Sequence, residues 1–244
     1  MAGQLFVIDG VDGSGKHTQA IELYTRFLTE GYTADEDITM VSFPRYGQPS
    51  AKFVEMYLHG ELAKDAMDID PYTTSLFYAI DRSISFKTEK WGEVYCDGGI
   101  VIADRYFTSN IIHQGAKILS NEGENDRPNK FTEFVKWLKD LELNKIKLPR
   151  PNKVFWLMTD KDTNNIMMQN RIENDTSHIT DIHEENTEYL NWCRLALQQY
   201  KAYYFAHTPY IPYIQNEHFI NVKDNNEIRS IGSIHNEIFM HLNK

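Results

Sequence analysis

Three observations predict an α/β fold in which a five-stranded parallel sheet is covered by helices on both faces. Five short apolar runs, residues 4–8, 38–43, 100–103, 154–158 and 218–222, have the length and composition of strands buried on both sides. Longer stretches at helical spacing separate them, the order that lays strands side by side in parallel with crossover helices above and below. The first run stops at a glycine loop that opens directly into a helix, Asp9-Gly10-Val11-Asp12-Gly13-Ser14-Gly15-Lys16-His17-Thr18. The chain has 244 residues, 41% of them hydrophobic, which suits one large domain over 1–244 with a substantial core. No internal repeat and no linker interrupts it.

The glycine loop fixes the fold class further. A strand, then Gly10-x-x-x-x-Gly15-Lys16, then a helix over 18–28 is the context of a phosphate-binding loop. Its glycines let successive N–H groups point inward, the helix adds its positive end, and Lys16 adds a mobile charge. Gly10, Gly13, Ser14, Gly15, Lys16, His17 and Thr18 are therefore candidates for the phosphates of a nucleoside triphosphate, in a P-loop NTPase three-layer sandwich. One position departs from the pattern. The residue after the lysine normally offers a hydroxyl to Mg²⁺, a hard cation that prefers oxygen, and here it is His17. The metal is then expected to rest on phosphate, water and a carboxylate from elsewhere.

The strand over 38–43 ends in Phe43-Pro44-Arg45, placing Arg45 at the carboxyl edge of the sheet, where ligands of open α/β folds bind. A helix over 50–62 follows. Asp70-Pro71 is a helix-start signal for a long helix over 73–90 that carries Leu76, Phe77, Ile80, Ile84 and Asp81-Arg82. On spacing alone Phe77 is as well read as core and Asp81-Arg82 as a solvated pair. Gly98-Gly99 turns the chain into the strand over 100–103, which ends in Asp104-Arg105-Tyr106. Two charges abutting four buried apolar residues need partners. The next helix, 107–119, carries Asn110, His113 and Gln114; Asn110 and Gln114 share a face, as ligand contacts or as surface amides. Residues 120–130 form a polar loop, 131–143 an amphipathic helix, and Pro149-Arg150-Pro151 breaks the chain before the strand over 154–158. A helix over 162–169 leads to Arg171 and a polar stretch, 172–181, that reads as a small mobile lid over about 171–183. Helices over 184–206 and 226–242 flank the last strand.

Composition excludes other classes. A net charge of −10 disfavours non-specific nucleic-acid binding. Two distant cysteines, Cys96 and Cys193, read as free thiols in a reducing compartment, and His183-Glu184 lacks the second histidine of a zinc helix, so no structural metal is expected. The start has no basic leader followed by an apolar run, and no window has the length of a membrane span. The expectation is a cytoplasmic protein without a membrane partner.

Four stretches in this order resemble the thymidylate kinases of the P-loop nucleoside-monophosphate kinase superfamily. They are Asp9-Gly10-Val11-Asp12-Gly13-Ser14-Gly15-Lys16; Phe43-Pro44-Arg45; Leu76-Phe77-Tyr78-Ala79-Ile80-Asp81-Arg82; and Asp104-Arg105-Tyr106 continuing to His113-Gln114-Gly115. The resemblance implies transfer of the γ-phosphoryl group of ATP to dTMP, with Mg²⁺, in a homodimer. It implies that Asp12 accepts from the sugar 3′-hydroxyl, Arg45 clamps the acceptor phosphate, Phe77 stacks on the base and Arg82 reaches the acceptor nucleotide. Asn110 and Gln114 would contact the pyrimidine edge, and His113 would lie near the sugar 2′ carbon. Asp104 would orient Mg²⁺ through water or phosphate, and Arg105 would bridge the phosphates. Such chemistry needs positioning and charge neutralisation alone. The pattern departs in the lid, where Arg171 is the one arginine available for transition-state charge, and in an insert over 123–145.

Three other readings remain. Asn110 and Gln114, differently arranged, would make the chain a kinase of another pyrimidine deoxynucleotide such as dUMP. A deoxynucleoside kinase would need a general base for its hydroxyl acceptor, whereas Arg45 and Arg82 suit a phosphate. A non-catalytic nucleotide-binding regulator would accommodate His17 and the arginine-poor lid.

Overall fold

The computed structural model describes residues 2–63, 66–174, 187–207 and 216–242. Its centre is a parallel sheet of β1 (Gln4–Gly10), β2 (Ile38–Ser42), β3 (Ile100–Asp104), β4 (Lys153–Met158) and β5 (Glu217–Asn221), in the order β2-β3-β1-β4-β5. Register brings the strands' carboxyl ends together: Ile8 pairs with Asp104, Ser42 with Asp104, and Gly10 with Leu157.

Alternate residues of each strand feed two cores. On one face Leu5, Val7, Val101, Ala103, Val154 and Trp156 pack with α5 (Thr108–Asn121), α6 (Arg127–Lys139) and α8 (Thr187–His207). On the other, Phe6, Ile8, Ile102, Phe155 and Leu157 pack with α1 (Lys16–Thr29) and α9 (Ile231–Leu242). Burial on both faces explains why each strand reads as a continuous apolar run. The remaining helices are α2 (Lys52–Leu58), α3 (Pro71–Thr88), α4 (Lys90–Cys96) and α7 (Lys161–Asn174). Asp70 caps α3 as its sequence announces, accepting from the N–H groups of Tyr72 and Thr73 at 2.9 and 3.0 Å, with Pro71 in the first turn.

The structure corrects several boundaries: α2 stops at Leu58 rather than 62, α7 runs on from 169 to Asn174, and three further segments differ. The expected helix over 73–90 stops at Thr88, and Glu89 takes an extended conformation before α4. This elbow requires Gly92, because a Cβ there would lie 1.7 Å from the Phe86 carbonyl oxygen. The helix expected over 131–143 is α6, four residues earlier, followed by a π-helical turn, Asp140–Lys145. The terminal helix begins at Ile231, after a two-strand hairpin of β6 (Lys223–Asp224) and β7 (Glu227–Ile228) turned by Asn225 and Asn226 at positive φ.

Candidate active site

The loop between β1 and α1 turns on Gly13 and Gly15, at φ 74° and 87°, which only glycine adopts without strain. At Gly10 a Cβ would lie 2.7 Å from the Leu157 carbonyl oxygen. Lys16 is buried beneath the loop and donates to the Val11 carbonyl at 2.8 Å, with Asp12 Oδ1 at 3.6 Å. Burial and the Arg105 cation bring its ammonium down to about 8, against the pull of Asp12, Asp9 and Asp104. Ser14 Oγ is buried and makes no hydrogen bond among the described residues. Thr18 is exposed on α1.

His17 directs Nδ1 to Asp104 Oδ2 at 2.9 Å. Burial would raise the Asp104 carboxyl, but the His17 hydrogen bond and the Arg105 and Lys16 cations outweigh it and hold the group below its usual range. The other oxygen, Oδ1, is buried and accepts no hydrogen bond among the described residues. Asp9, which the sequence reading gives no role, is saturated: Thr108, Ser109 and the Gly10 N–H all donate to it, so it ties β1 to the start of α5. Burial nonetheless raises its carboxyl.

Each arginine at this edge is gripped by an acid. Arg105 sits at φ 67°, its N–H on the Ile8 carbonyl, and its NH2 group donates to Asp12 while NH1 lies 3.4 Å from His113 Nε2. Burial opposes charge on Asp12, but Arg105, His113 and Lys16 hold its carboxyl well below the usual range. Arg45 donates through Nε to Glu89 at 2.7 Å. Its backbone N–H donates to Asp81 at 2.8 Å, and Asp81 also accepts from Ser50 at 2.7 Å. Arg82 donates through Nε and NH2 to Glu142. The solvated reading of Asp81-Arg82 is thereby overturned, since both are 1% exposed. The expected reach of Arg82 to an acceptor is also narrowed: Nε and NH2 are committed to Glu142.

Asn110 and Gln114 are 2% and 0% exposed on α5, so they are not surface amides. Asn110 Nδ2 and both polar atoms of Gln114 make no hydrogen bond among the described residues. Buried amides left unsatisfied cost roughly 1–3 kcal/mol per group, a cost that binding sites carry and cores avoid. Between them on the helix, His113 meets Tyr189 OH of α8 at 3.1 Å. Phe77 is not brought to this group. Its ring stacks on Phe53 at 5.8 Å, within a cluster of Val54, Tyr57 and Leu58. Tyr78, one residue on, is the α3 aromatic near Tyr189, whose phenol is raised well above its usual range by burial together with Cys193, Tyr57 and Tyr78.

Sequence reasoning also missed Asn164 and Arg194. Asn164 donates to the Asp12 carbonyl at 2.7 Å and accepts from Arg194 NH1 at 3.2 Å, so a guanidinium of α8 is tied to the glycine loop through one amide. No local motif marks either residue. Arg171 lies in the last turn of α7; its side chain, and most of the expected lid at residues 175–183, lie outside what the structure describes.

The family model described as thymidylate kinase matches residues 8–203, which include the glycine loop, all three gripped arginines and the α5 amides. The chain belongs to the thymidylate kinase family. It is 27% identical over 186 residues to the thymidylate kinase of Mycobacterium tuberculosis, covering 75% of this chain and 79% of that one. It is 31% identical over 153 residues to a probable thymidylate kinase of Pyrobaculum aerophilum, 63% of each chain. In fold it is similar to the thymidylate kinase of Candida albicans, with a TM-score of 0.65 at 17% identity over 99% of this chain and 92% of that one. The family and the sandwich fold are thus as the sequence leads one to expect.

Proposed function

We propose that this chain transfers the γ-phosphoryl group of ATP to dTMP, giving dTDP and ADP, as a single kinase domain. The observation that carries the reading is the unsatisfied, buried pair Asn110 and Gln114 beside the Asp12–Arg105–His113 group. Amides that offer donors and an acceptor fit the alternating acceptor, donor and acceptor of a thymine edge.

The glycine loop with Ser14, Lys16 and Thr18 holds the triphosphate. Arg105 lies between this loop and the acceptor side, where its charge bridges the phosphates. Asp12, ionised and acceptor-only, receives the 3′-hydroxyl. Arg45, fixed at its backbone by Asp81 and through Nε and NH1 by Glu89 and the Ser42 carbonyl, presents NH2 to the acceptor phosphate. His113, pinned by Tyr189, fills the space a ribose 2′-hydroxyl would need. Arg82 keeps NH1 for the acceptor, and Arg171 brings lid charge to the transition state.

Asp104 Oδ1 is a buried carboxylate oxygen without a partner among the described residues, and a hard divalent cation fits such a donor. Mg²⁺, when bound there with phosphate oxygens, would supply charge neutralisation at the transferred group. Leu76, Ile80 and Ile84 recur every four residues on α3 and are exposed, a stripe suited to a second copy of the chain. No helix among the described residues is long and apolar enough to cross a membrane.

The test is product identification: purified protein with ATP, Mg²⁺ and dTMP, separated by anion exchange. Formation of dTDP with one ADP per dTDP supports the reading, and its absence overturns it.

A further inference from the structure

The insert between α5 and β4, unaccounted for by the sequence, delivers one functional group. Glu142 lies in its π-helical turn and is 0% exposed. The Leu148 N–H donates to the Glu142 carbonyl at 3.0 Å, and the Ile146 N–H to the Leu141 carbonyl at 2.8 Å, so the turn holds its own backbone. From there the carboxylate takes Nε and NH2 of Arg82, the Nε contact at 3.0 Å. A guanidinium is a planar fork, and an acid bound along one edge fixes the plane of the whole group. Neither bond to Glu142 uses NH1.

We infer that Glu142 is a positioning residue for acceptor recognition: it orients Arg82 so that NH1 alone is presented to the pyrimidine of the acceptor. This rests on the reading of Arg82 as an acceptor contact. Two features favour orientation over simple stabilisation. A buried ion pair is a poor stabiliser compared with apolar residues of the same volume. And an acid also fixes the neighbouring Arg45, which gives Nε to Glu89 and NH1 to the Ser42 carbonyl, so that NH2 is the part of its fork held toward a ligand. Thymine offers a carbonyl oxygen where cytosine carries an amino group, so a donor fixed in place favours dTMP over dCMP.

The test measures KM for dTMP, dCMP and ATP, with dTMP affinity by calorimetry, in E142Q, E142D, R82M and the double variant R82M/E142L. E142Q is expected to raise the KM for dTMP on the order of tenfold, the worth of one misaligned charge-assisted hydrogen bond, and to leave the KM for ATP unchanged. Its preference for dTMP over dCMP falls. E142D, which keeps the charge but shortens its reach, behaves alike and serves if E142Q does not fold. The double variant regains the melting temperature lost in either single change, yet binds dTMP as weakly as R82M; a purely structural pair would not separate these. If R82M weakens dTMP while E142Q and E142D do not, Glu142 has no orienting role and the inference fails. If R82M itself binds dTMP normally, the reading of Arg82 as an acceptor contact fails first, and the inference with it.

Discussion

His17 Nδ1 stands 2.9 Å from Asp104 Oδ2, so the residue that replaces the usual hydroxyl after the loop lysine is spent on a carboxylate. The pair leaves Asp104 one inward oxygen, Oδ1, and removes the hydroxyl ligand that the loop would otherwise give a metal. Replacing His17 with threonine restores an oxygen ligand and releases Asp104. The half-saturating Mg²⁺ concentration for turnover should fall, by about three- to tenfold if one oxygen ligand is gained. A Mg²⁺ titration at saturating ATP and dTMP checks this; an unchanged midpoint would mean that His17 does not limit metal binding.

Gln114 gives a prediction in which stability and function move oppositely. Its amide is buried and unsatisfied, and leucine, one atom shorter, fills most of its space without polar atoms. Q114L should leave the melting temperature unchanged or raise it, since roughly 1–3 kcal/mol of unmet hydrogen bonding is removed. Affinity for dTMP should fall about ten- to a hundredfold. A thermal melt and a dTMP titration on one preparation decide it; a destabilised variant that still binds dTMP would make Gln114 a core residue.

His113 is held by Tyr189 on one side and faces Arg105 on the other, so it cannot swing aside cheaply. H113A should open the space at the sugar 2′ carbon. The preference for dTMP over the ribose analogue should drop about tenfold or more, mainly through a better ribo-substrate. If the wild-type protein uses both sugars with equal efficiency, this role is excluded.

Lys16 titrates at about 8 in the free protein because it is buried and lies near Arg105. Only the ammonium attracts polyphosphate, and bound polyphosphate raises the pKa in return. ATP affinity should therefore weaken as pH climbs through about 8, and binding should take up protons increasingly from about pH 7 to about pH 8.5. Calorimetry in buffers of different ionisation enthalpy measures the uptake; no buffer dependence over that window would contradict it.

The family resemblance implies a lid arginine, and Arg171 is the residue that the sequence offers for it. R171A should lower turnover about a hundredfold or more, with dTMP affinity little changed, as expected for a contact made in the transition state. Unchanged turnover would move that role elsewhere, and Arg194, tied to the loop through Asn164, is then the next residue to replace.

The legible parts of this protein were those whose signal is local. Strands buried on both faces announce themselves as apolar runs, and Gly10, Gly15 and Lys16 encode the loop within a few residues. The ends of β2 and β3 located Arg45, Asp104 and Arg105 for the same reason. Residues joined by tertiary pairing were not legible. Nothing near Glu142 or Glu89 says that each will meet an arginine 60 or 44 positions away. Asp81-Arg82 looked solvated because their partners, the donors Arg45 N–H and Ser50 Oγ for Asp81 and the acceptor Glu142 for Arg82, come from distant segments. Phe77 and Tyr78 differ by one residue, which is about 100° around a helix. Spacing alone could not decide which ring turns toward α5 and α8. The α3–α4 elbow did carry a signal in Gly92, which lies three residues beyond the break at Glu89 and so does not mark it directly.

The measurement that bears most directly on the account is ADP release from ATP and Mg²⁺ with dTMP, thymidine, dUMP, dCMP, dGMP and UMP offered separately. Arg45 and Arg82 read as phosphate- and base-facing clamps, and Asn110 with Gln114 as a pyrimidine reader, predict a strong signal with dTMP, weaker ones with dUMP and dCMP, and almost none with thymidine. A preference for thymidine would contradict the arginine clamp. Tight ATP binding with no acceptor used would contradict catalysis itself and leave a nucleotide-binding regulator.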